Sequence, residues 1–274
     1  MNRPSEISLV FAADLALHLG VNEIVLLNLI LSVKKQALDA NLRDNLFISP
    51  QLEKQLNAEI LQRHKAILQK QAIEHTNDKV RILPYLEYFK ESYSVNDYMR
   101  KFEADLLVCG GKERNSFLEI IFGSAAKKKP ERINYPMIVL SDEPVPTTIE
   151  DIVLAIDLEE RNQDAVDPLI EFSRLLNAHL HLLHVKVQSR DVTNEDIEAL
   201  RSFAKNKNLV DYSINLLSSQ SFEDGLENYV SKAKPDMIAL VNPGKGKLDK
   251  MIFGDKTKAT ESKTELPVFI CETV

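Results

Sequence analysis

The chain has 274 residues, enough for one large domain or for two of ordinary size at roughly 100–200 residues each. With 44% hydrophobic and 27% charged residues it reads as a globular protein, not a disordered or fibrous one. A net charge of −7 and a pI of about 5.5 argue against a nucleic-acid surface, and no stretch reaches the about 18 consecutive apolar residues of a membrane helix.

The start, Met1 to Glu6, carries no basic stretch followed by an apolar core, so secretion is not expected. Cys109 and Cys271 lie far apart with no short-spaced cysteine or histidine partner, which speaks against a disulfide scaffold and a structural zinc site. Together these features predict a soluble, cytoplasmic protein with no metal.

In chain order, Glu6–Leu19 has the apolar spacing of a helix, and Ile24–Leu29 reads as a buried strand. A second helix begins at Pro50 with Ser49 as N-cap, and Leu52, Leu56, Ile60 and Ile67 are predicted to share its apolar face. A strand at Val80–Leu83 and a helix near Val95–Phe102 follow. Next come an apolar strand in Ala104–Gly110, a loop, the segment Ile120–Ser124, a polar helical stretch and a closing strand, Pro136–Leu140. Lys127, Lys128 and Lys129 fall late on that helical stretch and read as a solvated face. The stretch Ser141–Thr148, with Pro144 and Pro146, is a stiff linker.

After the linker the pattern recurs. Strands are predicted at Asp151–Asp157, Leu180–Val185, Tyr212–Leu216, in Pro235–Val241 and at Pro267–Cys271. Helices are predicted at Ala165–Leu176, Asn194–Asn206 and Phe222–Lys234. Gly110 and Val241 are 131 residues apart, as are Pro136 and Pro267, a domain-sized repeat. Alternating strands and helices imply parallel sheets with right-handed crossovers, one in residues 1–143 and one in 149–274.

One asymmetry stands out. The second copy opens with an apolar strand ending in Asp157, whereas the first opens directly on its helix. In a sheet of order 3-2-1-4-5 that opening strand is central, so its loss orphans the backbone groups on both sides. Residues missing after Asn2, a start upstream, or a rebuilt sheet would each account for it, and the first two are favoured over a rebuilt sheet.

The order of elements and the late glycine loops resemble the universal stress protein family, over nearly the whole chain as two tandem copies. In that family a phosphate loop reads Gly-x2-Gly-x9-Gly-(Ser/Thr), where glycines and a helix N-terminus present backbone N–H groups to an anion. The first copy has Gly110, Glu113, Gly123 and Ser124 at those positions, and the second has Val241, Gly244, Gly254 and Asp255. Each loop thus keeps two of its three glycines, and each has gained a carboxylate.

The resemblance also implies that Asp157 faces an adenosine, with Ala155 and Ile156 where relatives often carry Pro and Thr, and that Val185 walls the adenine. Lys245, Lys247 and Lys256 are placed to neutralise phosphates. On the plain reading Asp157 and Asp255 cap the helices that follow them, and the lysines are solvated.

The fold expected is therefore two Rossmann-like α/β domains of the adenine nucleotide alpha hydrolase type, an intramolecular pseudo-dimer with homodimerisation left open. Antiparallel pairing of the closing strands, Met137–Leu140 against Val268–Cys271, is implied by the family. The expected function is a non-catalytic stress-response module. The alternatives are a switch binding ATP or AMP with Mg²⁺ through the second domain, with slow hydrolysis at most, and a protein-interaction scaffold using the helix around Leu52–Ile67. His179, His181 and His184 do not share one strand face and lack ligand spacing, so they read as ordinary strand histidines.

Overall fold

In the second half, five apolar runs become five parallel strands, with a helix in each of the three described crossovers. The computed structural model describes residues 3–30, 32–33, 49–88, 93–110, 133–141, 145–158, 163–187, 192–241 and 265–271. Its contacts divide the chain into two compact units, Ala12–Tyr98 and the remainder, Met1–Phe11 with Met99–Val274. Helix α1 spans Arg3–Leu19 and is followed by β1 (Glu23–Ile30), α2 (Pro50–His75), β2 (Arg81–Tyr88), α3 (Val95–Lys101), β3 (Leu107–Gly110) and β4 (Met137–Leu140). Then come β5 (Asp151–Ala155), a short 3-10 turn at Gln163–Val166, α4 (Asp167–Leu176), β6 (His179–Val187), α5 (Asn194–Asn206), β7 (Tyr212–Ser219), α6 (Phe222–Ala233), β8 (Met237–Val241) and β9 (Val268–Cys271).

Strands β9-β8-β5-β6-β7 are neighbours in that order and all mutually parallel, which is the expected order 3-2-1-4-5. Central β5 explains its own composition: Ile152, Val153 and Leu154 are fully buried, as a strand covered on both faces requires. The Asp236 carboxylate accepts from the backbone N–H of Glu150 (2.8 Å) and Asp151 (3.0 Å), pinning the start of β8 to the start of β5.

The helices obey their terminal chemistry. Thr193 caps α5 with a reciprocal box, its hydroxyl accepting from Asp196 N–H while the Asp196 carboxylate accepts from Thr193 N–H at 2.7 Å. The same carboxylate takes the Lys186 ammonium of β6 at 2.6 Å. Ser221 caps α6, and Asn177 and Lys234 close α4 and α6 in the left-handed conformation. Lys207 bonds both Asp164 (2.8 Å) and Asp167 (2.7 Å); burial alone would lower its pKa, and the two carboxylates outweigh burial and raise it.

In the first half the four expected strands form, as two separate pairs. β1 and β2 make a two-stranded parallel sheet of their own, and β3 and β4 pair in parallel at the end of the larger sheet. With no strand among the described residues to serve as shared neighbour, β1 and β3 belong to different sheets. The closing strands do pair antiparallel, Met137 with Ile270, Ile138 with Phe269 and Val139 with Val268. The β3–β4 register, Leu107 opposite Met137, recurs 131 residues on as Ile238 opposite Val268. Ile138 and Phe269, also 131 apart, face each other and so mark a local two-fold axis.

Helix α2 corrects one expectation. Ser49 is its N-cap, accepting from Leu52 N–H, and Pro50 opens it as predicted. Its buried face, however, is turned round the axis from the predicted one: Leu68 and Ala72 are buried, while Leu52 and Ile67 are each 46% exposed. Leu56 and Ile60 keep intermediate positions at the edge of the inward face. At 26 residues α2 is about 39 Å long, against about 26 Å for eight-residue β1 and β2, so the strands cannot cover its whole length.

Both cysteines are buried and outside any disulfide, and burial pushes the Cys271 thiol up to about 12, so it is unreactive at neutral pH.

The box around Asp196 yields a pH-dependent prediction. The Lys186 contact and the Thr193 N–H hold its carboxyl down at about 2, from an ordinary 3.8. A group with a depressed folded-state pKa stabilises fully above its unfolded value and loses that contribution as pH falls through the folded one. Asp196→Asn should therefore cost about 1–2 kcal/mol at neutral pH, measured by urea denaturation. Variant and parent should converge between about pH 4 and about pH 2. A gap that persists unchanged to pH 2 would contradict the ionic origin.

Candidate functional site: the strand ends at the β5–β8 switch point

The order of the large sheet reverses between β5 and β8, because the chain leaves β5 towards β6 and leaves β8 towards β9. Open parallel sheets bind ligands just beyond the C-terminal strand ends at such a point. Ala155 pairs with Leu183 on one side and Leu240 on the other, so Ile156-Asp157 leave the sheet beside Val241, the last residue of β8.

Local bonds fix how β5 ends. Ile156 N–H donates to the Leu183 carbonyl at 2.8 Å, continuing the ladder by one residue. The next ladder bond would run from Val185 N–H to the Ile156 carbonyl. Instead the His184 ring takes that carbonyl, Nδ1–H donating at 3.0 Å. His184 faces away from His179 and His181, as the strand period predicts.

Backbone groups alternate sides along a parallel strand. Leu183 faces β5 with its carbonyl, so Val185 also points its N–H and C=O towards the β5 side, beyond the point where β5 has ended. Among the described residues the ladder offers these two groups no further strand. The Val185 side chain is itself buried. It lies against α6 at Gly225, where an added Cβ would stand 2.4 Å from Val185 Cγ1. Gly225, a glycine in the middle of an amphipathic helix, is the second residue that sequence reasoning passed over.

The other expected site residues divide as follows. Ala155 is buried, Ile156 half-buried and Asp157 exposed at the strand end. Asp157 does not cap α4, whose N-cap is Val166 without a side-chain cap bond. Gly244, Lys245, Lys247, Gly254, Asp255 and Lys256 lie outside the described residues, as do Glu113, Gly123 and Ser124. Gly110 closes β3, and a Cβ there would lie 2.7 Å from Leu140 Cβ and 2.8 Å from Ser8 Oγ. Its missing side chain thus serves the packing of β4 and α1.

Two other polar clusters are structural. His181 bridges Asp151 (Nε2–H donating, 3.0 Å) and the Tyr229 hydroxyl (2.9 Å), and His179 bonds Asp211. This network lies near the N-terminal ends of β5 and β6, away from the switch point. Among the described residues no three His, Cys, Asp or Glu side chains are placed to share a metal ion. A shallow hollow of 510 Å³ beside α4 is lined by Asp167, Ile170, Glu171, Arg174, Leu175 and Lys207, with none of the expected nucleotide residues. Its main charge, Lys207, is already taken by Asp164 and Asp167.

The Val185–Gly225 contact predicts an inverted helix-propensity effect. Alanine normally favours a helix interior by about 1 kcal/mol over glycine. Gly225→Ala should nevertheless destabilise the protein by about 1–2 kcal/mol, because overpacking outweighs propensity. In a Val185→Ala background the same change should become neutral or favourable, read as a coupling in a double-mutant cycle of melting curves. Stabilisation by Gly225→Ala alone would refute the close approach.

No family model matches the sequence, nor does any curated protein. Among solved structures, the chain is similar to a universal stress protein from Archaeoglobus fulgidus DSM 4304 at a TM-score of 0.62 and 13% identity, covering 98% of this chain and 92% of that one. A putative universal stress protein from Pseudomonas aeruginosa UCBPP-PA14 aligns at a TM-score of 0.51 and 13% identity over 93% of this chain and 95% of that one. A functionally unknown protein from Pseudomonas aeruginosa PAO1 gives 0.51 and 12% identity over 94% of each chain. At these identities the likeness establishes architecture, and the chain has the fold of the universal stress proteins.

Proposed function

We propose that this chain is a non-catalytic, cytoplasmic regulatory module of universal stress protein type, and that its second half is the one equipped to take an adenine nucleotide. The carrying observation is Val185. Its backbone donor and acceptor point past the end of β5, with His184 holding aside the carbonyl that would otherwise occupy the donor. An adenine edge carries a matching pair, the N1 acceptor beside the N6 amino donor. Asp157 is exposed at the adjoining strand end, within reach of a ribose hydroxyl in chemical kind. Phosphate charge would fall to Lys245, Lys247 and Lys256 with the backbone of Gly244 and Gly254, and Mg²⁺ would supply the remaining neutralisation.

The first half is less suited. The space at Gly110 is filled by Leu140 and Ser8, and no strand in the described residues corresponds to β5 with its terminal acid. The non-catalytic reading is supported by the three histidines of β6, each engaged in a bond that fixes strands or strand ends.

Melting curves of the purified chain with millimolar ATP–Mg²⁺ or AMP test this directly. A rise in Tm is expected, abolished by Asp157→Ala and enlarged when Asp255→Ser is combined with Val241→Gly. Phosphate release should stay at the buffer rate. No shift with either nucleotide at millimolar concentration would sink the nucleotide reading, and turnover would sink the non-catalytic one.

A further inference from the structure

Two donors compete for one carbonyl at the end of β5. Ile156 N–H donates to the Leu183 carbonyl, so the parallel ladder assigns the Ile156 carbonyl to Val185 N–H as its next bond. In the structure that carbonyl accepts from the His184 ring at 3.0 Å instead. A carbonyl only accepts, so Nδ1 of His184 carries the proton.

The two donors ask for different directions of the carbonyl. Strand β6 stays paired with β7 as far as Val187 opposite Ser219, well past Leu183 opposite Ala155. Val185 N–H therefore lies in the plane of the sheet. The His184 side chain stands off the face of the strand, and a carbonyl aimed at its ring is turned out of that plane. Because the two donors belong to consecutive residues, rotation of the Ile156–Asp157 peptide is enough to pass the carbonyl from one to the other.

That rotation would lengthen β5. Val185 would then stand opposite Asp157, its N–H bonded to the Ile156 carbonyl and its C=O to Leu158 N–H. Strand β6 is the fixed partner in this exchange, since the Val185 side chain is buried and held against Gly225 of α6. The moving part is the end of β5.

We infer that His184 is a positioning residue, a latch that holds β5 short and keeps the Val185 N–H and C=O available to a ligand. Without the ring's donor, β5 zips on by one rung, and residues 156–158 of the chain itself cover the edge that Val185 presents. The functional sense of the latch rests on the nucleotide reading, in which Val185 takes the adenine edge. A ligand that needs the unzipped state binds with an affinity reduced by the fraction of chains in that state. His184 thus raises affinity through Val185, by excluding a competing contact within the chain.

Side-chain chemistry separates the latch from simple bulk. Asparagine at position 184 places its amide nitrogen where Nδ1 stands, whereas glutamine reaches the position of Nε2. His184→Asn should therefore keep the latch, and His184→Gln and His184→Ala should lose it. Amide hydrogen exchange on the full chain without nucleotide reads Val185 N–H directly. In the parent and in His184→Asn it should exchange at least about tenfold faster than Leu183 N–H, which the ladder bonds to Leu154. In His184→Gln and His184→Ala it should slow by about tenfold as the rung closes. Val185 N–H as protected as Leu183 N–H in the parent would overturn the inference, and so would equal rates in His184→Asn and His184→Gln, a pair that decides the matter even where the alanine variant does not fold. Melting curves with millimolar ATP–Mg²⁺ then separate the latch from the nucleotide reading. The rise in Tm should survive in His184→Asn and shrink in His184→Gln. The expected exchange pattern with no rise in any of the proteins supports the latch and sinks the nucleotide reading; equal rises in all of them support the nucleotide reading and overturn the latch.

Discussion

Backbone pairing of β5 is the constraint on which the second half depends. A strand buried on both faces can satisfy its donors and acceptors only sideways, and β5 does so with β6 on one edge and β8 on the other. That double pairing sets the order of five strands, and because β5 and β8 send the chain in opposite directions it also creates the crevice at their ends. Ending β5 at Ala155 leaves the Val185 N–H and C=O, among the described residues, with no strand opposite them. Fold and candidate site are therefore consequences of one strand, and the first half shows the converse: its β1 and β3 end in different sheets.

Much of this was legible in the sequence because the signals were local. Helix α5 has the predicted limits, Asn194–Asn206, since a Thr-x-x-Asp box sets its start. Ser49-Pro50 placed the start of α2 for the same kind of reason. The antiparallel meeting of β4 and β9 was implied by family likeness and is observed. What failed was the face of α2. Its apolar residues are sparse, and Leu52, Leu56, Ile60 and Ile67 lie within a narrow arc, but the helix turns a neighbouring arc inwards, where His64, Leu68, Gln71 and Ala72 alternate. A mixed face gives periodicity too little contrast to fix its angle.

The candidate site was legible in position and less so in detail. Asp157 and Val185 were marked by the family resemblance, which matches them at strand ends, and the structure places both at the C-terminal ends of their strands. The part played by His184 was hidden, because a bond from a ring to a carbonyl on a neighbouring strand leaves no pattern in one sequence. Gly225 left a faint one, and Gly110 a misleading one: its glycine fits a phosphate loop, yet the lost Cβ serves Leu140 and Ser8. A glycine reports close approach without saying what approaches.

The asymmetry of the halves also says what the first one contributes. Without β4, strand β9 would be an exposed edge made of Val268, Phe269, Ile270 and Cys271, the kind of apolar edge that invites aggregation. Paired with β4 it is at most 1% exposed at every residue, as β4 is in return. Phe269 is held further by Phe172 of α4 at 5.0 Å between ring centroids. Burial of each large apolar side chain is worth about 2 kcal/mol, so this short antiparallel seam matters to the stability of the second half as well as the first. The seam depends only on β3, β4 and their neighbours, and makes no demand on the strand position beside β1.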